Sequence, residues 1–277
     1  MENLFNWLWI VFLLWTLTPL IEQRRLMYLR YRVIREIEKK RGSRVITLIH
    51  RQESVSLLGI PLTRFINIED SEQVLRAIRL TPDDMPIDLV LHTPGGLVLA
   101  AEQIARAIQK HKARVSVFIP HYAMSGGTLI ALAADEIHMD ENAVLGPVDP
   151  QLGNFPAISI IRAVEEKGPD KVDDETLILK DVAEKAVDQV YRVVFSLLEE
   201  KMGPEEADKV ARLLTHGKWT HDYPITCDQL QEMGLKINCT LPREIYLLMD
   251  LYPQPPTRRP TVQYVPVPYT REPAPRS

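Results

Sequence analysis

The chain has few of the residues that build metal sites, disulfide frameworks or nucleotide-binding loops. It contains only two cysteines, Cys227 and Cys239, in 277 residues, and these show no metal-ligand spacing and predict no disulfide framework. Such sparse cysteine usage fits a reduced, cytoplasmic setting. No His/Asp/Glu cluster has metal spacing, and no phosphate loop of the G-x-x-x-x-G-K type occurs. We therefore expect no cofactor and neither ATPase nor dehydrogenase chemistry.

A large net charge and internal repeats are also lacking. The formal net charge is −4, which offers no argument for a nucleic-acid partner, and we expect none. With 277 residues, of which 45% are apolar, the chain can bury one sizeable domain with appendages, or at most two small domains.

The N-terminus differs in kind from the rest of the chain. Residues 4–21 read LFNWLWIVFLLWTLTPLI, without a charge and with three of the four tryptophans, which is long enough for a short transmembrane helix with interfacial anchors. No basic region precedes this run and no small-x-small site follows it, which argues against a cleaved secretory signal. Arginines follow at once in residues 22–32. The positive-inside rule then places the rest of the chain in the cytoplasm.

Beyond the N-terminus, short apolar runs alternate with amphipathic segments. The pattern predicts strands at 44–50, 87–92, 114–120 and 136–139, and helices from an Asp70-Ser71 cap to Arg79 and at 97–110, 126–134, 158–166 and 174–202. Such alternation indicates an α/β fold with a parallel sheet and right-handed crossovers. The apolar stripe of the last helix is either core or a subunit contact.

These observations divide the chain into four regions. We expect a transmembrane anchor in residues 1–22, a basic juxtamembrane helix in 23–42, and an α/β domain in 43–252. Residues 253–277 hold eight of the 21 prolines and predict an extended, flexible tail.

Two glycine turns stand out at the ends of predicted strands. One is Thr93-Pro94-Gly95-Gly96, and the other is Ala123-Met124-Ser125-Gly126-Gly127, which opens a predicted helix. Glycine lets backbone N–H groups approach a ligand, and Ser125 would stand at the positive end of a helix dipole. These are the requirements of a nucleophile with an oxyanion hole. The alternative is a serine that merely caps the helix.

The stretch 86–153 resembles the Clp protease/crotonase superfamily, and within it the signal peptide peptidase A-like branch. Three segments resemble more closely the membrane-bound serine dehydrogenase proteinase family: HTPGGLVLAAEQIA at 92–105, PHYAMSGGTLIA at 120–131 and LGPVDPQLG at 145–153. The likeness extends from about Leu26 to Pro268. It implies a Clp/crotonase-like fold, Ser125 as the nucleophile, the amides of Gly96 and Gly126 as oxyanion donors, and a homo-oligomer.

The resemblance leaves the base open. The Clp subunit uses a histidine soon after the serine, but the corresponding residues 146–151 contain none. The signal peptide peptidase A-like branch uses a lysine, which serves as a base when burial lowers its pKa. By resemblance Lys185 ranks first, followed by Lys180 and Lys167. Each of these is also readily interpreted as a solvated helix lysine.

Three further polar residues lie near the predicted site. His121 either approaches Ser125 across the turn or only binds its loop, while His92 is expected to be a structural residue with its hydrogen bonds satisfied. Asp149, between two prolines, lines the site or fixes the loop, and we favour the loop.

The sequence as a whole predicts a membrane-anchored serine endopeptidase that works without ATP in the cytoplasm. Its location near the bilayer favours polypeptide substrates such as membrane proteins or their fragments. Two alternatives remain: a crotonase-type acyl-CoA enzyme, for which carboxylates beside the glycine turns are missing, and a membrane scaffold that has kept the fold without the base.

Overall fold

The computed structural model describes residues 2–51, 55–57, 60–62 and 65–252. The predicted tail 253–277 lies outside this description, and so do the side chains of residues 2–16, Pro19 and residues 55–62. Most side chains of the predicted anchor are therefore not described. In the described part of the chain, we find no helix that combines the length and the apolar character needed to cross a membrane.

The described chain alternates strands and helices. The strands are β1 (Arg44–Ile49), β2 (Val55–Leu57), β3 (Ile60–Leu62), β4 (Ile87–His92), β5 (Val115–Ile119), β6 (Tyr122–Ala123), β7 (Glu136–Met139), β8 (Val144–Leu145), β9 (Gln151–Leu152), β10 (Phe155–Pro156), β11 (Ile225–Thr226) and β12 (Ile237–Asn238). The helices are α1 (Glu2–Arg41), α2 (Ile68–Arg79), α3 (Val98–Lys110), α4 (Gly126–Ala133), α5 (Ala157–Lys167), α6 (Asp174–Met202), α7 (Pro204–Thr215), α8 (Cys227–Glu232) and α9 (Arg243–Asp250).

A five-stranded parallel sheet forms the centre of the domain, with the strand order β1-β4-β5-β7-β12. Its side chains alternate between two apolar layers, as the twofold repeat of a strand requires. Val90 and Phe118 belong to the layer with residues of α1 and α9, and Leu89 and Val117 to the larger layer with residues of α2, α3, α4, α6 and α7. This architecture confirms the predicted α/β fold with a mostly parallel sheet.

A second, three-stranded sheet positions the glycine turns. Its order is β11-β8-β6; β6 runs parallel to β8, and β8 runs antiparallel to β11. A bridge between Thr93 and Ala123 links the end of β4 to β6. The sequence pattern did not predict these strands, because two residues are too few for an apolar repeat.

The end of α1 is part of the packed domain. Ile37 is buried against α9, and Arg41 Nε lies 2.5 Å from Oδ2 of the buried Asp88. The basic helix predicted at 23–42 is therefore the last part of α1, and the C-terminal end of this helix packs on the central sheet.

Two local predictions are wrong. Helix α2 is capped by Asn67, whose side chain accepts the N–H of Asp70 while the Asp70 carboxylate accepts the N–H of Asn67; this capping box starts the helix before the predicted Asp70-Ser71 cap. Cys227 and Cys239 form a disulfide, with their Cα atoms 6.0 Å apart. The chain reverses direction through α8, which brings the two cysteines together, and their sequence spacing alone did not reveal this.

Candidate active site

Ser125 occupies a strained turn between β6 and α4. Its φ of 50° makes it the one non-glycine residue with positive φ in the described part of the chain. Ser125 stands at the N-cap position of α4, but its side chain makes no capping hydrogen bond to the helix. A non-glycine residue in such a conformation costs about 1–3 kcal/mol, and strain of this kind concentrates at functional sites.

The glycine turn that follows β4 is pressed against this serine. A Cβ atom added to Gly95 would lie 2.8 Å from the Cβ of Ser125, and one added to Gly96 would lie 2.3 Å from the carbonyl oxygen of Ile66. The turn is held by the N–H of Ile66, which donates to the Gly95 carbonyl at 2.7 Å, and by the N–H of Leu97, which donates to the Ile66 carbonyl at 2.9 Å. Only glycine fits at both positions.

Two backbone amides near Ser125 are available to a ligand. The position of a Cβ on Gly126 would be 3.6 Å from the nitrogen of Gly96, so the two residues are neighbours in space. Among the described residues, the backbone hydrogen bonds include none donated by the amide of Gly96 or of Gly126. Gly126 also begins α4, at the positive end of the helix dipole. The pair can bind a negatively charged oxygen beside Ser125.

Thr128 fastens the loop that follows β8 to this turn. Its buried Oγ1 lies 2.9 Å from the carbonyl oxygen of Ala123 and 2.8 Å from that of Gly146, and it accepts the N–H of Gly146 at 3.1 Å. Gly146 also packs against Met124, whose Cε would be 2.6 Å from a Cβ at that position. The loop that carries Asp149 is thereby held next to the residues around Ser125.

The three predicted lysines lie on helix surfaces. The side chain of Lys185 is 66% exposed and pairs with Asp181 on its own helix. Lys180 pairs with Glu184 at 2.9 Å, and this hydrogen bond raises the pKa of Lys180, opposite to the change that a base requires. Lys167 is exposed in the last turn of α5. No hydrogen bond or ion pair between described residues joins any of them to Ser125, and the lysine base stays a prediction.

His92 is buried, and its ring nitrogens make no hydrogen bond to any described residue. The residue is 1% exposed. Burial, with the charges of Arg51, His121 and His50 as smaller causes, lowers the pKa of His92 to about 3. The expectation that its hydrogen bonds are satisfied is therefore wrong.

His121 lies beside His92, with the ring centroids 5.5 Å apart. Partial desolvation and the Arg51 charge lower the pKa of His121. None of the described hydrogen bonds connects His121 to Ser125.

His221 is a further residue near the site that no sequence motif indicated. Its Nδ1 lies 2.7 Å from Oδ1 of Asp149, which is 4% exposed, and the hydrogen bond to Asp149 raises the pKa of His221 against the opposing effect of burial. Gln151 donates to the other oxygen of Asp149 at 2.7 Å. Asp149 thus fixes its loop, as expected, and orients a histidine as well. The two residues are distant in the chain, and only the pairing of β8 with β11 could have connected them.

Within the described residues, no group of three or more His, Cys, Asp or Glu side chains is arranged to hold a metal ion.

Comparison with known proteins identifies the family. The ClpP-like SDH-type serine proteinase family matches residues 1–276. The chain belongs to this family. Two relatives from Methanocaldococcus jannaschii, MJ0137 and MJ1495, are both named as uncharacterized proteins. MJ0137 is 57% identical over 264 residues, which cover 95% of this chain and 92% of the relative. MJ1495 is 58% identical over 262 residues, which cover 95% of this chain and 89% of the relative.

A solved structure is also similar, namely a mutant of the 1510-N membrane-bound stomatin-specific protease. It is 20% identical and covers 67% of this chain and 79% of that chain, with a TM-score of 0.44. A TM-score this low supports no inference about this chain. Membership of the ClpP-like SDH-type serine proteinases confirms the predicted resemblance and supports serine peptidase chemistry on polypeptide substrates.

Proposed function

We propose that this chain is an ATP-independent serine endopeptidase in which Ser125 attacks the scissile carbonyl. The amides of Gly96 and Gly126 would hold the oxygen that becomes negatively charged in the tetrahedral intermediate. The strained Ser125 turn carries this proposal. The amide of Gly126 follows Ser125 directly, the turn with Gly96 packs against it, and neither amide donates a backbone hydrogen bond among the described residues. Membership of a serine proteinase family supports the reaction class.

A base must accept the proton of Ser125 Oγ, since a serine hydroxyl is otherwise a weak nucleophile. By family resemblance Lys185 is the first lysine candidate, and Lys180 and Lys167 are the alternatives. Lys185 and Lys180 would first have to leave their ion pairs with neighbouring carboxylates on α6.

Replacing Ser125 tests the nucleophile. In the full-length protein in detergent, Ser125→Ala should abolish labelling by a fluorophosphonate probe and hydrolysis of a labelled protein substrate, while leaving the fold intact. Ser196→Ala is a matched control, because the Ser196 hydroxyl only binds the Val193 carbonyl on its own helix. If Ser125→Ala is labelled as fast as the unchanged protein, Ser125 is not the nucleophile. Absence of labelling in the unchanged protein would favour the scaffold, and turnover of acyl-CoA thioesters would favour the crotonase-type enzyme.

We further propose a single-pass membrane protein with its peptidase domain in the cytoplasm. The anchor would be residues 1–22, with 23–42 as the basic juxtamembrane helix, 43–252 as the peptidase domain and 253–277 as a flexible tail. Anchoring to the bilayer would direct the enzyme towards membrane proteins or their fragments, and the resemblance favours a homo-oligomer. The uncharged run 4–21 followed by arginines supports this arrangement.

Membrane extraction tests the anchor. The full-length protein should resist alkaline carbonate washing, whereas a chain that begins at Met27 should be soluble and still retain Ile37 and Arg41, which pack on the sheet. Protease added outside intact cells should spare the domain. Release of the full-length protein by carbonate would refute the anchor, and digestion of the domain from outside would reverse the topology.

A further inference from the structure

The amide of Gly96 belongs to a peptide group that the backbone itself does little to fix. Gly95 and Gly96 have φ values of 107° and 155°, and without a Cβ atom neither residue restricts rotation of the peptide between them. The carbonyl of Gly95 and the N–H of Gly96 are parts of this one trans peptide, so they point in opposite directions. Contacts that hold Gly95 therefore decide where the N–H of Gly96 points.

The carbonyl side of Gly95 is held by the residue before α2. The N–H of Ile66 donates to the Gly95 carbonyl at 2.7 Å, which turns the N–H of Gly96 away from that N–H group. The nitrogen of Gly96 lies 3.6 Å from the position of a Cβ on Gly126. The orientation of the Gly96 amide towards the proposed oxyanion site thus depends on this peptide keeping its direction.

The amide side of Gly95 is held by a buried hydroxyl. Thr93 is fully buried, and its Oγ1 accepts the N–H of Gly95 at 3.2 Å. The same Oγ1 lies 2.9 Å from Nδ1 of His50, which follows β1 and is 6% exposed. The hydroxyl therefore connects the glycine turn to a buried imidazole.

The imidazole of His50 is oriented by a carboxylate on α2. Its Nε2 lies 3.3 Å from Oδ2 of Asp70. Since a carboxylate only accepts, the neutral ring carries its proton on Nε2 and accepts the Thr93 hydroxyl at Nδ1. Asp70 also accepts the N–H of Asn67 at 2.9 Å, and Asn67 directly follows Ile66. The contacts thus form a closed circuit through the end of β1, the start of α2 and the glycine turn.

We propose that Thr93 and His50 are positioning residues for the oxyanion site, because together they fix the peptide that presents the amide of Gly96. This inference rests on the proposed peptidase function and extends its machinery to groups that do not touch the substrate. Asp70 keeps the His50 ring in the orientation that accepts the Thr93 hydroxyl.

The role of His50 follows from the alternatives open to the Thr93 proton. Without an acceptor at position 50, the acceptor that the described contacts leave to this hydroxyl is the Gly95 carbonyl oxygen, 3.4 Å away. A bond to that oxygen would compete with the N–H of Ile66 and pull on the peptide that orients Gly96. A small misplacement is enough to matter, since about 1 Å can cost about 10²-fold in rate.

Fluorophosphonate labelling of the full-length protein in detergent tests the role of Thr93. The maximal labelling rate depends on the oxyanion site, whereas the probe concentration at half the maximal rate reports binding before the reaction. Thr93→Val should lower the maximal rate by about 10–10²-fold and change the half-maximal concentration less than about twofold. Thr93→Ser keeps the hydroxyl and should recover most of the rate. Thr81→Val is a matched control, because it also removes a buried hydroxyl, which donates to the Ala77 carbonyl, and it should label normally.

A pair of variants at position 50 tests the circuit a second time. The side-chain carbonyl of His50→Asn can take the place of Nδ1 and accept the Thr93 hydroxyl, whereas His50→Leu offers no acceptor. We expect His50→Asn to label clearly faster than His50→Leu. Thermal unfolding of each variant measures stability separately, and this pair decides the question if Thr93→Val does not fold.

The results distinguish failure of this inference from failure of the function. If Ser125→Ala keeps full labelling, the proposed function itself fails. If Ser125→Ala abolishes labelling but folded Thr93→Val reaches the normal maximal rate, the peptidase stands and the positioning role is overturned. Equal losses in Thr93→Val and Thr93→Ser, equal rates in the two His50 variants, or a change in the half-maximal concentration alone would also overturn it, since packing or probe binding would then explain the effect.

Discussion

The buried imidazole of His92 should make the fold sensitive to acid. The folded protein keeps this ring neutral, because burial lowers its pKa to about 3 from an ordinary 6.5. Below the ordinary pKa, the unfolded chain therefore binds a proton that the folded chain does not, and stability falls as pH decreases. We expect this loss to develop between pH 6.5 and pH 3, the two limits of the shift.

The size of the effect follows from the shift. One pKa unit corresponds to about 1.4 kcal/mol, so the free energy of unfolding should fall by about 2 kcal/mol near pH 5 and by about 5 kcal/mol at the acid limit from His92 alone. His92→Phe removes the titrating group and both unpartnered nitrogens while keeping a ring. The variant should lie within about 1 kcal/mol of the unchanged protein at neutral pH, because loss of an unsatisfied polar group offsets the larger ring.

Denaturant unfolding of the full-length protein in detergent, followed by circular dichroism at several pH values, measures this slope. His92→Phe should lose markedly less stability than the unchanged protein between neutral pH and about pH 5. His111→Phe controls for removal of a histidine, since the His111 ring already contacts the Met85 carbonyl. Equal acid slopes for His92→Phe and the unchanged protein would refute the reasoning.

Two further predictions concern the glycine turn and the long helix. Gly96→Ala should lower the free energy of unfolding by about 2–4 kcal/mol and abolish activity, because the new Cβ meets the Ile66 backbone at a positive φ. Gly153 also has a positive φ, but a Cβ there would meet no atom within 4 Å, so Gly153→Ala should lower the free energy of unfolding by only about 1 kcal/mol. Equal losses of stability in the two variants would contradict the steric argument. Val182, which is 42% exposed, lies on a face of α6 that a homo-oligomer could cover, whereas Val190 is 4% exposed. Val182→Asp should leave a folded protein whose mass by light scattering is smaller than that of the unchanged protein, whereas Val190→Asp should unfold the domain. An unchanged mass for Val182→Asp would exclude this face as the subunit contact.

Much of the architecture could be predicted because it depends on local patterns. The apolar runs at β4 and β5 and the turn residues after them predicted a parallel sheet with Ser125 at its edge. The helix Asp174–Met202 was predicted with its bounds, since a long amphipathic repeat is the strongest signal in a sequence. The short strands β6, β8 and β11 were missed because each has only two residues.

The sequence by itself determined the family, the α/β fold and the position of the candidate nucleophile, because these depend on contiguous motifs and repeat periods. Tertiary structure alone decided that Cys227 bonds Cys239, that the buried imidazole of His92 has no hydrogen-bond partner among the described residues and that Asp149 holds His221. Each of these depends on segments that meet only after the chain has folded. Spacing along the chain carries no information about such meetings, since strand register and helix packing set them.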